Sequence, residues 1–134
     1  MDPRETLELY YQYANSGQWM KWCDLFADDM VMDEQLAGHI EGGATLREMM
    51  QGGLGGYTEF QNQPRTLFVS GNEGAVVSHI TGKTHLGEEI QCGVMNYFRF
   101  NDEGKIVYLA NFHDSVPFKP LFDPNNKPAQ SPAE

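Results

Sequence analysis

The stretch from Met95 to Asp114 reads MNYFRFNDEGKIVYLANFHD. Two apolar, aromatic-rich runs flank the turn-forming triplet Asp102-Glu103-Gly104, so this is a β-hairpin, with strands predicted over Glu89–Asn101 and Lys105–Asp114. Upstream, Gly87-Glu88 is a tight turn, Ala75–Leu86 a strand, and Gly71-Asn72-Glu73-Gly74 another turn. Thr58–Ser70 is one long strand candidate. Pro64 marks an edge or a bulge within it, because proline cannot donate to a strand ladder. Earlier in the chain the period becomes helical. A helix is predicted over Ala44–Gln51, ended by Gly52-Gly53, and another over Gln18–Phe26. Met30-Val31-Met32 reads as a short strand between them. Asp2-Pro3 is a helix start, with Asp2 as N-cap, Pro3 in the first turn and Glu5 completing a box-like pattern. Leu7, Tyr10, Tyr11 and Ala14 then recur at helical spacing up to Asn15-Ser16-Gly17. Helices first and strands after give an α+β domain, in which a curved antiparallel sheet wraps around N-terminal helices. Such a sheet encloses an interior where a ligand can sit.

The 134 residues fit one domain, with 40% hydrophobic and 21% charged residues. The domain is expected over residues 1–119. The Pro/Asn/Ser-rich residues 120–134 are expected to be a tail, largely unfolded from Pro124 onward. The formal net charge of -10 argues against nucleic acid and anionic membranes as partners, since both require a Lys/Arg footprint. It leaves a neutral or cationic small molecule. Cys23 and Cys92 lie far apart, show no metal-ligand spacing and read as free thiols. The first residues lack the basic and apolar regions of a signal peptide, and no apolar run approaches a membrane span, so a cytoplasmic protein is expected.

Three segments carry a resemblance to a known family. LFADDMVMDEQLAG followed by GGATLREMM, the hairpin MNYFRFNDEGKIVYLANFHD, and YYQYANSG near the N-terminus resemble ketosteroid isomerases and SnoaL-like polyketide cyclases, members of the nuclear transport factor 2-like superfamily. The resemblance spans most of residues 5–116. It implies a cone-shaped α+β fold with one internal pocket, a homodimer formed through the outer sheet faces, and chemistry that needs no cofactor or metal. The outward Tyr97 and Arg99 are compatible with a paired sheet face. Tyr10 falls where the isomerases keep an oxyanion-hole tyrosine. Glu34 falls where they keep the general-base aspartate, with Asp33 one residue before it. Asn96 falls where they keep a protonated aspartic acid that donates the second oxyanion hydrogen bond. Leu109, Asn111 and His113 fall at pocket-lining positions of the last strand. Phe26, Met50 and Ile80 are assigned to the apolar lining.

These residue types make chemical sense together. A carboxylate in an apolar cavity can take a proton from carbon next to a carbonyl. A tyrosine hydroxyl and an asparagine amide can donate to the enolate oxygen without any change of protonation. Asp33 and Glu34 point to opposite faces of an extended strand, so one of them faces the pocket; the ungapped match favours Glu34 and a one-residue shift favours Asp33. His113 is a candidate second acid/base, since imidazole titrates near neutrality. The expected activity is therefore isomerisation or ring closure of an apolar steroid- or polyketide-like ketone. The alternative is a non-catalytic ligand-binding or dimerisation protein of the same fold. Epoxide hydrolysis is disfavoured, because limonene epoxide hydrolases carry an aspartate where Asn111 stands and Arg99 faces outward. Dehydration of the scytalone type needs two histidines and an aspartate, which His113 alone does not supply.

Overall fold

The structure, a computed structural model, describes residues 1–128. Helix α1 spans Pro3–Asn15; Asp2 caps it, its side chain accepting from the Glu5 N–H at 2.9 Å. Helix α2 spans only Trp19–Cys23. The predicted second helix extended to Phe26, but Phe26 opens strand β1 (Phe26–Glu34) instead, and Met30–Met32 is the middle of that longer strand. Strand β2 (Gly38–Glu41) has too few residues to show a period and was not anticipated. Helix α3 covers Gly43–Met50 and ends where Gly52 and Gly53 take positive φ, a conformation open to glycine at little cost. Strands β3 (Tyr57–Ser70), β4 (Glu73–Thr84), β5 (Glu89–Phe100) and β6 (Ile106–Phe112) follow. A 3-10 helix over Val116–Phe122 crosses the position where the domain was expected to end.

One six-stranded sheet results, in the order β2-β1-β6-β5-β4-β3. Every neighbouring pair is antiparallel except β1 and β6, which run parallel and join the N-terminal part of the chain to its last strand. β3 is an edge strand, and its register slips between Pro64 and Thr66, a bulge that removes the need for an N–H at the proline.

Alternation decides what faces the concave side. On β5, Ile90, Cys92, Val94, Asn96, Phe98 and Phe100 are buried, and the residues between them are largely outward. Leu7, Tyr10, Tyr11 and Ala14 of α1 pack on this face with Phe98, Phe100, Ile106 and Leu109. A second, smaller cluster of Ile90, Cys92 and Phe118, joined by Leu36, Tyr57, Ile80 and Leu121, lies toward the other end. The 3-10 helix thus belongs to the packed domain. Asn126 ties the chain beyond it down, its Nδ2 donating to the Gly56 and Leu121 carbonyls and its Oδ1 accepting from the His85 N–H. The expectation of an unfolded segment from Pro124 onward falls for residues 129–134 outside the described residues.

Candidate active site

Inner residues of three strands form one row across the sheet: Glu34 on β1 pairs with Asn111 on β6, and Asn111 pairs with Asn96 on β5. Two residues beyond Asn111, on the same side of the chain, stands His113. These side chains, with Tyr10, Met50 and Ile80, line an internal cavity of about 280 Å³. Most of the remaining wall is apolar, including Trp19, Trp22, Met32, Tyr57, Phe60 and Phe118.

Glu34 and His113 make direct contact. Glu34 Oε1 lies 2.6 Å from His113 Nε2, and the two side chains are 17% and 3% exposed. The other carboxylate oxygen, Oε2, accepts the backbone N–H groups of Leu36 at 2.6 Å and Ala37 at 2.8 Å. His113 Nδ1 lies 3.0 Å from the Asp114 carbonyl oxygen, and the backbone N–H of His113 donates to Gln35 Oε1. A carbonyl can only accept, so Nδ1 carries a proton toward it. Nε2 then faces Glu34 Oε1 across the contact. The pair is an acid and a base joined by one short hydrogen bond.

The polar residues beside the pair form a directed chain. Tyr11 Oη donates to Asn96 Oδ1 at 2.7 Å, and Asn96 Nδ2 donates to Asn111 Oδ1 at 2.6 Å. With its oxygen turned toward Asn96, Asn111 presents its NH₂ group at the cavity wall. Sequence reasoning nominated Asn96 as the donor to a ligand oxygen. In the fold Asn96 is 2% exposed and committed to Tyr11 and Asn111, so Asn111 is the better placed donor. Tyr10 stays a neutral donor: burial, and then the charge of Glu34, push its hydroxyl well above the usual tyrosine range. The same two causes act on Tyr57, a cavity residue the sequence did not nominate.

Three nominated residues are elsewhere. Asp33 is on the outer face, where its carboxylate lies 2.6 Å from His39 Nδ1 and accepts from Tyr108 Oη at 2.7 Å. Alternation along Met30, Met32 and Glu34 sends those three inward and Asp33 out. Leu109 is fully buried in the core beneath α1, which fills that end of the concave face and keeps it from the cavity wall. Phe26 packs in the core against Trp22, ring centroids 4.7 Å apart, because it begins a strand and does not end a helix.

The outer carboxylate gives a direct test of this sorting. The hydrogen bonds of Asp33 and then Glu41 hold His39 above its ordinary 6.5, while His39 and then Tyr108 hold Asp33 below its ordinary 3.8. The His39 contribution to stability is therefore complete below pH 6.5 and lost as pH rises through the raised value. The Asp33 contribution is complete above pH 3.8 and lost as pH falls through the lowered one. Asp33→Asn is expected to bring the His39 titration midpoint, followed by NMR, down toward 6.5. It should leave ligand binding in the cavity unchanged.

A family model described as the SnoaL-like domain matches residues 7–109. Among curated protein sequences there is no match. Similar solved structures include a nuclear transport factor 2-like protein of unknown function from Burkholderia pseudomallei, with a TM-score of 0.80, 14% identity, and coverage of 90% of this chain and 97% of that one. TerC, co-crystallised with polyporic acid, has a TM-score of 0.77 and 16% identity, covering 89% and 96%. SalBIII, an epoxide hydrolase/cyclase-like enzyme of pyran ring formation in the polyether salinomycin, has a TM-score of 0.74 and 18% identity, covering 86% and 92%. At these identities the likeness is one of fold, while the family match covers most of the chain. The chain belongs to the SnoaL-like domain family and has the nuclear transport factor 2-like α+β fold.

Proposed function

We propose that this protein is a cofactor-independent acid/base enzyme acting on an apolar small-molecule ketone, by double-bond isomerisation or by ring closure. The observation that carries the reading is the 2.6 Å contact between Glu34 and the buried imidazole of His113 on the wall of an apolar cavity. In the ion-paired form the Glu34 carboxylate is the base and the His113 imidazolium the acid. Glu34 takes a proton from the carbon next to the carbonyl, and the electron pair of that C–H bond moves to the carbonyl oxygen, giving an enolate. The hydroxyl of Tyr10 and the amide of Asn111 are the donors available to that oxygen. Return of the proton at another carbon completes an isomerisation. Attack of the enolate carbon on a second carbonyl, with the proton delivered to the new alkoxide, completes a ring closure. SalBIII and TerC, with their polyether ring chemistry and bound polyporic acid, are consistent with small organic ligands in cavities of this fold.

The test needs no knowledge of the natural substrate. Enolisation exchanges the proton next to a carbonyl for deuterium in D₂O, and NMR follows it with small cyclic ketones such as 1-tetralone. Exchange faster than in buffer, dependent on Glu34, supports the enzyme. Tight binding of such ketones without any acceleration identifies a binding protein instead.

A homodimer is proposed as well. Val77, Met95 and Phe112 are 38%, 46% and 55% exposed and pair in one row across β4, β5 and β6 on the convex face. Tyr97 and Tyr108 flank them, with the Arg99 guanidinium 4.5 Å over the Tyr108 ring. A second copy of this chain would bury that row. Sedimentation of the wild type is expected to give twice the chain mass, and of the Met95→Glu, Phe112→Glu double variant the mass of one chain. A monomeric wild type sinks this part of the reading.

A further inference from the structure

The turn between β1 and β2 holds both members of the Glu34–His113 pair. Strand β1 ends at Glu34, paired with Asn111 of β6, and residues 35–37 turn the chain back into β2. Two backbone N–H groups of this turn, those of Leu36 and Ala37, fold onto Glu34 Oε2 at 2.6 and 2.8 Å. Gln35 contributes its side chain instead: Oε1 accepts the backbone N–H of His113.

His113 stands where the ladder no longer holds the chain. Strand β6 ends at Phe112, which pairs with Met95 of β5, and its pairing with β1 ends at Asn111. A backbone N–H at this position still needs an acceptor. The Gln35 amide oxygen takes the place of a carbonyl that the turning backbone carries away. The ring of His113 has its own contacts. Nε2 lies 2.6 Å from Glu34 Oε1, Nδ1 lies 3.0 Å from the Asp114 carbonyl, and the ring centroid is 4.7 Å from that of Phe118. The Asp114 contact is with the next residue and moves with the same backbone, so it does not place His113 relative to β1. Glu34 and Gln35 do. Consecutive residues at one strand end grip the histidine twice, Glu34 at its ring and Gln35 at its backbone. A two-point grip fixes the direction of the imidazole as well as its distance.

We propose that Gln35 is a positioning residue of the pair: by holding the backbone of His113, its side chain aims the imidazole at Glu34. Gln35 is exposed and stands outside the set of residues that line the cavity, so it acts through His113 and not on a ligand. The positioning itself rests on the geometry alone, and its consequence for turnover rests on the proposed function. Misplacing a reacting group by about 1 Å costs on the order of 10² in rate.

Two variants separate the acceptor from the rest of the side chain. Gln35→Met keeps the length and removes the amide oxygen, whereas Gln35→Glu keeps an oxygen that accepts at least as strongly. For deuterium exchange of 1-tetralone, Gln35→Met should lower kcat by about ten- to a hundredfold. KM should stay within about twofold of the wild type, because uniform binding is untouched. Gln35→Glu should restore kcat to within about threefold. Proton NMR in H₂O at low temperature supplies a readout that a merely structural residue would not move. The short Glu34–His113 hydrogen bond should give a far-downfield proton resonance in the wild type and in Gln35→Glu, and none in Gln35→Met. Should Gln35→Met fail to fold, Gln35→Asn, whose amide sits one methylene short, takes its place.

Resonance and exchange both unchanged in folded Gln35→Met overturn the proposal, even where the unfolding midpoint drops. So does a loss that Gln35→Glu does not rescue, or a wild type in which no such resonance is found. The resonance needs no turnover, which keeps the two readings apart. A wild type that accelerates no exchange, but loses the resonance in Gln35→Met, removes the proposed function and leaves the positioning role standing. Accelerated exchange that survives in Gln35→Met with the resonance intact removes the positioning role alone.

Discussion

Glu34→Gln is expected to slow deuterium exchange of a bound ketone by on the order of 10²–10⁴, the usual contribution of a positioned general acid or base, without unfolding the protein. The substitution replaces one carboxylate oxygen by NH₂ and changes little else. The glutamine oxygen can still accept the N–H groups of Leu36 and Ala37, which Glu34 Oε2 accepts now. Its NH₂ group can donate to Nε2 of a neutral His113, whose Nδ1 proton still points to the Asp114 carbonyl. Every hydrogen bond has a successor, and only the group able to take a proton from carbon is gone. Exchange and thermal unfolding measured on the same preparation separate the two effects. Exchange undiminished in a folded Glu34→Gln variant would remove Glu34 as the base. Because Asp33 faces outward onto His39 and Tyr108, it is no reserve candidate.

Phe98→Ala should cost about 3–5 kcal/mol of folding stability, the range for truncating a fully buried aromatic. Phe98 is wholly buried at the centre of the concave face. Its ring meets Tyr10 edge-on, with centroids 5.0 Å apart and planes at 83°, and stacks on Phe100 at 6.0 Å. The void left behind is walled by α1 on one side and the sheet on the other, and neither can move in without breaking strand pairing. Against a typical total of about 5–15 kcal/mol for a domain, the loss is a large share. It should appear as a lower midpoint in urea unfolding. The same change removes the backing of Tyr10, so any variant that remains folded should also bind ketones more weakly. A midpoint shifted by less than about 1 kcal/mol equivalent would mean that the core collapses around the gap in a way this packing does not suggest.

Much of this molecule is written in local pattern. The Asp2-Pro3 cap, the helical spacing of Leu7, Tyr10, Tyr11 and Ala14, the turns at Gly71–Gly74, Gly87-Glu88 and Asp102–Gly104, and the aromatic strands between them specify the order of elements. The bulge at Pro64 follows from the missing N–H of proline. The alternation that turns Glu34, Asn96, Asn111 and His113 to one side is also local, because a strand has a period of two. These features depend on residues near one another in sequence, and a sequence displays them directly.

What the sequence did not display depends on contacts between distant residues. Glu34 and His113 lie 79 positions apart, and no local period reports that β1 runs parallel to β6 and brings them together. The same holds for Tyr11, which sets the direction of the Asn96–Asn111 chain from a helix, and for the 3-10 helix, whose Phe118 and Leu121 close a cavity made by strands. Leu109 and Phe26 were misplaced for this reason: each has an inward, apolar signature, and only the packing of α1 over Leu109 and of Trp22 against Phe26 decides that they lie in the core and not on the cavity wall. The sequence alone determined the fold class and the inward residue types. Tertiary structure decided which of those residues touch, because hydrogen bonding and burial are properties of the packed chain, not of its periodicity.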